Sequence, residues 1–394
     1  MNFEVIKGSH IKRNVLIGVV VVLILSAVIL TFTRAKYKIT ESIPLVNGTI
    51  NYELSDFNLI GAYIQEGEEY KQTNEIPISG YEFNSEESYC TVNGENINAT
   101  LNYDMATQTL SVVPLTTKGT KCYLYFDEKA SGGDYILAGD NPPTNSTTDW
   151  TGGTTYYYTG NPNNWVQFGG FWWRIIRING DGTIRMIYQG TSANTTGTGT
   201  QIGTSAFNSS ANNKTYVGLV YNTSSQHGYG TNSTIMNTLN NWYNSNLASY
   251  EDNYIDTGTG FCSDRNMASG YTWNDSDFFY APFNRRSSGS LQCSNEDVLS
   301  QDNNKLTYSI GLLTSDEYVL AGSGDSYLNV SIDYWTMSPC SYPNASVFLV
   351  YDGYLDIGWL VTNVQGVRPV ISLRADVQLT GSGTTSDPFI VVRA

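Results

Sequence analysis

The stretch Phe171–Gly190, FWWRIIRINGDGTIRMIYQG, contains two largely apolar runs on either side of an Asn-Gly-Asp-Gly turn. Asn-Gly and Asp-Gly both favour the positive φ angles of tight turns, so this stretch predicts a hairpin of two antiparallel strands. Trp173 and Ile175 are expected to share a face with Met186 and Tyr188 across the turn. The arginines of the hairpin would mostly lie on the opposite face.

The segments that follow the hairpin mix helical and strand patterns. In Ser233–Leu247 the apolar residues recur at helical spacing, and Ser233 is suited to cap the helix. A strand that ends at Thr314 is followed by Ser-Asp-Glu, which is a typical helix start. The stretches ASVFLVYDGYLDIGWLV and GVRPVISLRADV return to strand patterns. Residues 156–394 are therefore predicted to form a domain of strands with a few short helices.

The region before this domain divides into two parts. Residues 37–128 carry short strand patterns such as GTINYEL, NATLNYD and TKCYLYFD. Their alternation of apolar and polar residues, broken by Asn, Gly and Pro, predicts a small antiparallel β-sandwich that would serve as a stalk. Residues 129–155 are rich in Gly, Pro, Ser and Thr, and this composition predicts a linker.

The chain has five cysteines, whose spacing indicates the compartment. Cys90 and Cys122 flank alternating residues, and Cys262 and Cys293 flank a polar stretch. This spacing predicts one disulfide within each domain and leaves Cys340 free or buried. Disulfides require an oxidising compartment, so the C-terminal part is expected outside the cytoplasm. Since the chain has no CxxC motif and only two histidines, we expect no metal site and no cofactor.

Residues 14–33, NVLIGVVVVLILSAVILTFT, carry no charge and are long enough to cross a hydrocarbon layer of about 30 Å as a helix. Basic residues flank both ends, so the positive-inside rule does not set an orientation. The disulfide pairs favour residues 1–13 as a cytoplasmic tail. A cleaved signal peptide is the alternative, although the apolar run is long and a small-residue cleavage pattern is missing. We expect a single-pass protein of the cell membrane.

Composition and charge exclude some classes of partner. The net charge is −15, and charged residues make up 14% of the chain. This acidic balance argues against nucleic acid, because few basic residues are present to neutralise phosphates. Motifs for a serine triad or a phosphate-binding loop are missing. Asp316 and Glu317 are adjacent, so their side chains would diverge at the helix start and would not flank one glycosidic bond. No catalytic residue is predicted.

The order of these motifs resembles a known family. WRI-x-RINGDGTIR is followed by NWY, GL-x-T-x-DE, YWTMSP, a hairpin with VYDGYL, and GVRPVISL. The sequence resembles an uncharacterised family of bacterial membrane-anchored surface proteins. Their C-terminal domain is similar to the formylglycine-generating-enzyme (sulfatase-modifying factor) type of C-type-lectin-like fold. The resemblance implies an irregular α+β domain with a small antiparallel sheet, and it implies no activity.

The enzymes of that fold provide a test of catalytic function. Formylglycine formation needs a cysteine pair that holds copper, and the related sulfur-transfer enzymes need a cluster of histidines for iron. Here Cys262 and Cys293 are predicted to form a structural bridge, and His227 is the one histidine after the apolar segment. Neither chemistry is therefore carried over to this chain.

The sequence thus favours a non-catalytic recognition or adhesion protein that presents aromatic and amide groups to a glycan or a protein. A cell-surface hydrolase that uses carboxylates or a metal, and a structural envelope component, are the alternatives. Structural roles are assigned to Trp173, to Trp335 in YWTMSP, and to Arg368 with an internally paired guanidinium. The ligand-facing surface is predicted on the loops around 334–346 and the hairpin 351–360. Its candidate residues are Tyr342, Asn344, Tyr354 and Trp359.

Overall fold

The structure is a computed structural model that describes residues 57–392 except residues 68, 78–80, 106, 108 and 114–118. The chain is mixed α+β and rich in strands, as predicted, and it divides between Asp127 and Glu128 into two compact units. The predicted tail 1–13 and the predicted membrane helix 14–33 lie outside the described residues. Within those residues, no helix has both the length and the apolar character needed to span a membrane.

The described part of the N-terminal unit is built from strands. The strands are β1 (Phe57–Glu66), β2 (Glu69–Thr73), β3 (Tyr81–Val92), β4 (Glu95–Asn96), β5 (Thr100–Asp104), β6 (Thr109–Val113) and β7 (Thr120–Glu128). Five form one sheet in the order β2-β1-β7-β3-β4, and β5 pairs with β6 in a separate hairpin. The predicted sandwich was purely antiparallel, but β1 runs parallel to β7. Hydrophobic alternation identifies strands without setting their direction, which depends on the chain's return path.

Both predicted disulfides are confirmed. Cys90 on β3 is bonded to Cys122 on β7, in the core of the N-terminal unit. Cys262 is bonded to Cys293 in the C-terminal unit. Cys340 is free and buried, as expected. Each bridge closes a loop of about 30 residues, which removes conformational freedom mainly from the unfolded chain.

The C-terminal unit contains short helices among many strands. The helices are α1 (Gly132–Ala138), α2 (Thr234–Asn246), α3 (Glu251–Tyr254) and α4 (Ser315–Leu320), with 3₁₀ turns at Gly197–Thr200, Lys214–Val217, Ala248–Tyr250, Ala281–Arg285 and Ser323–Asp325. The strands are β8 (Asn145–Thr148), β9 (Thr154–Tyr157), β10 (Trp165–Phe168), β11 (Phe171–Ile178), β12 (Ile184–Gly190), β13 (Gly203–Ala206), β14 (Val220–Tyr221), β15 (Thr231–Asn232), β16 (Phe261–Cys262), β17 (Phe278–Phe279), β18 (Val298–Leu299), β19 (Tyr334–Tyr342), β20 (Ser346–Tyr351), β21 (Tyr354–Leu360), β22 (Val364–Val367), β23 (Val370–Leu373), β24 (Gln378–Thr380) and β25 (Phe389–Val392).

The predicted hairpin is the centre of the larger sheet. Strands β11 and β12 pair antiparallel, with Trp173 opposite Tyr188 and Ile175 opposite Met186, so these four side chains share a face as expected. The sheet order is β23-β12-β11-β10-β25-β24, and β9 also pairs with β11. Both edges of the hairpin are paired with other strands, and both of its faces are almost entirely buried.

The segment 129–155, predicted as a linker, contains α1, β8 and part of β9. Ser131 caps α1 by accepting a hydrogen bond from the Asp134 backbone nitrogen at 3.1 Å. Strand β8 pairs with β9, which in turn extends the central sheet at β11. Its threonines have a high strand propensity, and they form a ladder here although Gly, Pro and Ser are frequent in the segment.

The second sheet has the order β13-β22-β19-β20-β21 and contains the YWTMSP motif. Strand β19 continues through Pro339 to Tyr342, and Pro339 pairs with Val347. The register shifts on both sides of Pro339. Proline lacks the N–H that a regular ladder needs, and such irregular positions tolerate it. The motif is therefore part of a buried strand.

A buried charge network links the central hairpin to α4. Glu317 Oε1 accepts a hydrogen bond from Arg177 Nε at 3.1 Å and forms an ion pair with Arg185 Nε. Arg177 also lies 3.4 Å from Asp149 Oδ2, and none of these side chains is more than 1% exposed. Burial alone would raise the pKa of Glu317, but the two guanidinium groups and the Thr314 backbone hold this pKa below its usual range.

Candidate ligand-binding groove

The three residues predicted to be structural are all buried. Trp173 donates from Nε1 to the Phe168 carbonyl at 3.0 Å, and Trp335 donates from Nε1 to the Ser205 carbonyl at 2.9 Å. Arg368 is more deeply buried than expected, at 1% exposure.

The guanidinium of Arg368 is paired internally with neutral acceptors. It donates to the carbonyls of Thr200, Leu328 and Tyr188 and to the Gln189 side chain, over distances of 2.8–3.3 Å. Burial lowers the pKa of Arg368, and the nearby Tyr334, Tyr327 and Tyr318 offset part of this effect. These carbonyls come from separate loops, which Arg368 holds together.

The four predicted ligand-facing residues do not form one surface. Tyr342 is half-buried at the end of β19 and stacks on Phe278, with ring centroids 5.6 Å apart. Asn344 is exposed in the loop that follows. Tyr354, which is 70% exposed, lies beyond the other end of β20. A six-residue strand spans about 20 Å, so Tyr354 lies far from that loop.

Trp359 has features of both a binding residue and a packing residue. Its ring is half-buried against the core and lies 5.2 Å from the Tyr351 ring. Its Nε1 donates to Asp356 Oδ2 at 2.9 Å, so its polar atom already has a partner. The four residues remain candidates for a ligand surface, and they occupy two ends of one hairpin.

A more coherent candidate is a cleft of about 450 Å³ at the β10–β11 hairpin, within the range of small-molecule sites. We call it the aromatic groove. Its lining residues come from the hairpin, β25 and the turn before α3: Gln167, Phe168, Gly169, Gly170, Phe171, Trp172, Thr191, Tyr250, Tyr254, Ile390 and Val391. Trp173 lies beneath it and holds the hairpin through Phe168.

The glycine turn of the hairpin shapes one end of the groove. Gly169 and Gly170 have φ angles of +61° and +82°, which glycine adopts without strain. A Cβ atom on Gly169 would lie 2.8 Å from Leu247 Cδ2 at the end of α2. The absence of a side chain thus lets the turn approach the helical segment that carries Tyr250 and Tyr254.

One wall of the groove is a row of side chains across three strands. Gln167 on β10 lies opposite Trp172 on β11 and opposite Ile390 on β25. Residues opposite each other on paired strands point to the same face, so this row forms a platform. Trp172 packs edge-to-face on Trp165, with centroids 6.0 Å apart and an interplanar angle of 78°. That contact restrains the indole while leaving it partly exposed.

An aromatic triad lines the groove from the opposite face of the sheet, because the successive residues Gln167 and Phe168 of β10 point to opposite faces. Phe168 contacts Tyr250 and Tyr254 at centroid distances of 5.2 and 5.8 Å, and the two tyrosine rings lie 6.2 Å apart. Both tyrosines are half-buried. Rings held by several neighbours lose little entropy when a ligand binds, so the triad is preorganised.

The polar groups of the groove are available to a ligand. Within the described chain, no hydrogen bond is formed by the hydroxyls of Tyr250 and Tyr254, by Trp172 Nε1 or by the Gln167 amide. None of the described lining residues carries a charge. The groove therefore offers flat aromatic faces with neutral hydrogen-bonding groups, which suit an uncharged polar ligand.

A second cleft, of about 630 Å³, is lined by Trp150 and by three carboxylates, those of Asp181, Asp256 and Asp302. Thr183 and Thr259 donate hydroxyl hydrogen bonds to Asp181, and the Thr259 backbone nitrogen donates to Asp256. Two of the three carboxylates thus hold loops together. In the described part of the chain, no group of three or more His, Cys, Asp or Glu residues is arranged to hold a metal ion.

Sequence reasoning missed the groove residues. No motif marks Phe168, Tyr250 or Tyr254 in the sequence. The local signal for the groove is FGGFWW at 168–173, in which a glycine turn lies between aromatic residues. No family model, curated protein or solved structure matches this chain. The functional argument therefore rests on the geometry of the groove.

Proposed function

We propose that this chain is a membrane-anchored extracellular recognition protein that binds an uncharged glycan in the aromatic groove. The observation that carries the proposal is the uncharged lining, in which partly exposed aromatic rings stand beside unpaired hydroxyl and amide groups. The apolar face of a pyranose ring can stack on Trp172 while its hydroxyls exchange hydrogen bonds with Gln167. A second sugar unit can reach the tyrosines, which line the groove from the opposite face of the sheet.

The remaining parts of the proposal rest on the sequence. Two disulfides favour an oxidising compartment, and residues 14–33 are suited to anchor the chain in a membrane. We also propose that residues 156–394 adopt a variant of the C-type-lectin-like fold and belong to the surface-protein family named above. The short helices and irregular loops of this unit support that assignment, whereas its two main sheets have eight and six strands and each contains a parallel pair.

The proposal is tested by binding of neutral and charged oligosaccharides to the purified full-length protein. Neutral probes are β-linked glucose and N-acetylglucosamine oligomers, and a uronic-acid oligomer is the charged control. We expect a neutral probe to bind and to change tryptophan fluorescence. Binding of the charged control alone would refute the proposal. So would no binding of any neutral oligomer at about 10 mM, because the binding free energy would then be weaker than about 3 kcal/mol.

Variants locate the site. Trp172→Ala should weaken binding about tenfold or more, since truncation of an aromatic anchor costs more than about 1 kcal/mol. Tyr254→Phe removes a hydroxyl without changing the packing and should weaken binding about two- to tenfold. Tyr354→Ala is the matched control, because this tyrosine is exposed and lies outside the groove lining. If Tyr354→Ala weakens binding and Trp172→Ala does not, the hairpin 351–360 is the binding surface instead.

A further inference from the structure

Strand β21 is an open edge of the second sheet. It pairs with β20, and no other described strand lies on its outer side. An open edge presents unpaired N–H and C=O groups that can accept a further strand. Proteins usually protect such edges with lysine, proline or very short strands. Strand β21 is seven residues long and contains neither lysine nor proline. A register shift and the φ of +79° at Gly358 interrupt its ladder, and the Ile357 nitrogen donates to Asp356 Oδ1 at 2.8 Å.

The side chains along this edge are unusually apolar for an exposed strand. Tyr354 is 70% exposed, Ile357 44% and Leu360 38%, and the adjacent Tyr351 is 43% exposed. Single exposed apolar residues are ordinary, but several along one open strand indicate an interaction surface.

The charged residues of the chain segment that carries β21 all have the same sign. Residues 306–367 contain no lysine or arginine, and their accessible carboxylates are those of Asp325, Asp333, Asp352 and Asp356. These groups cluster near the strand: Asp356 belongs to β21, and the Asp352 backbone nitrogen donates to Asp333 Oδ1 at 3.1 Å. The 3₁₀ turn that carries Asp325 packs against the β20–β21 turn. The edge strand is therefore apolar, and the accessible charges of its own chain segment are carboxylates.

We propose that β21 docks an extended segment of a partner protein in which basic and apolar residues alternate. Such a segment would add one strand to the sheet through backbone hydrogen bonds. Its apolar residues would pack on the face of the sheet that carries Ile357 and Leu360, and its basic residues would lie on the opposite face, beside Asp356. A second copy of this chain is a poor occupant, because the net charge is −15 and two acidic edges would repel each other.

The probe is a fluorescently labelled eight-residue peptide of alternating lysine and valine, added to the full-length protein. We expect binding by fluorescence anisotropy that weakens at least tenfold when glutamate replaces lysine in the peptide. Binding should also weaken between about 50 and 500 mM salt, because exposed charges are screened. Hydrogen exchange should show new protection in Tyr354–Leu360.

Ile357→Lys should reduce binding about tenfold, because it places a positive charge and a polar group on the edge. Tyr229→Lys is the matched control, since Tyr229 is 50% exposed and lies outside this sheet. Unchanged tryptophan fluorescence of both variants would show that they are folded. Equal binding of the two peptides, no binding, protection outside β21, or self-association of the protein through this edge would each overturn the proposal.

Discussion

Replacing the buried Glu317 by glutamine should destabilise the C-terminal unit far more than the same carboxylate-to-amide change would at the surface of this unit. Both carboxylate oxygens of Glu317 are engaged: Oε1 faces Arg177 and Arg185, and Oε2 accepts from the Thr314 nitrogen at 2.8 Å and from its hydroxyl at 3.1 Å. An amide has one oxygen, so in either orientation its NH₂ group faces donors.

The magnitude follows from the two interactions that are lost. Removing one partner from a buried ion network costs about 3–5 kcal/mol, because the remaining charges stay buried without compensation. The same substitution disrupts the capping box of α4, in which Thr314 and Glu317 are reciprocally bonded, at a cost of about 1 kcal/mol. We expect Glu317→Gln to lower the free energy of unfolding by about 4–6 kcal/mol.

The assay is urea unfolding followed by tryptophan fluorescence. All eight tryptophans lie in residues 128–394, so this signal reports on the C-terminal unit alone. Asp376→Asn is the matched control, because Asp376 pairs with Arg374 at 2.8 Å but both side chains are largely exposed. An exposed pair contributes about 0–1 kcal/mol. If both variants lose the same small amount, the network around Glu317 does not hold the hairpin to α4.

Two further predictions concern pH and the N-terminal disulfide. Because the pKa of Glu317 is lower in the folded than in the unfolded state, its contribution to stability is present above the unfolded value of about 4.3 and is lost as the pH falls through the folded value. The loss of unfolding free energy in Glu317→Gln, relative to the wild-type protein, should therefore be constant between about pH 5 and 7 and become smaller below about pH 4. A loss that grows on acidification would contradict this account. Replacing Cys90 and Cys122 together by serine should destabilise the N-terminal unit by about 3–4 kcal/mol. The loss should be detected as faster hydrogen exchange in β7, and unchanged exchange would show that the bridge contributes little.

The groove and the predicted loop site differ in how well the local sequence predicts them. Tyr342, Asn344 and Tyr354 lie on one hairpin, and their closeness in sequence favours a shared surface. The strand between them separates its two ends by about 20 Å, and only the pairing of β19, β20 and β21 reveals this separation. The groove has the opposite character, since Phe168 and Tyr250 are distant in sequence and their ring centroids lie 5.2 Å apart.

Several features were predictable because their causes are local. The β11–β12 hairpin depends on its Asn-Gly-Asp-Gly turn, and the face shared by Trp173 and Tyr188 depends on the two-residue period of a strand. Helix α2 begins after Ser233, whose side chain accepts a hydrogen bond from the Met236 nitrogen at 3.2 Å. The disulfide pairs follow from the spacing of cysteines between strand patterns.

The amino-acid sequence by itself determined the α+β character, the central hairpin, the helix cap at Ser233 and the two bridges, because each depends on residues close together in the chain. Tertiary structure alone decided the parallel pairing of β1 with β7, the continuation of β19 through Pro339, and the burial of Glu317 between two arginines. It also decided the aromatic groove and the open edge at β21. These features arise where segments far apart in sequence meet, and their stability depends on which surfaces the fold excludes from water.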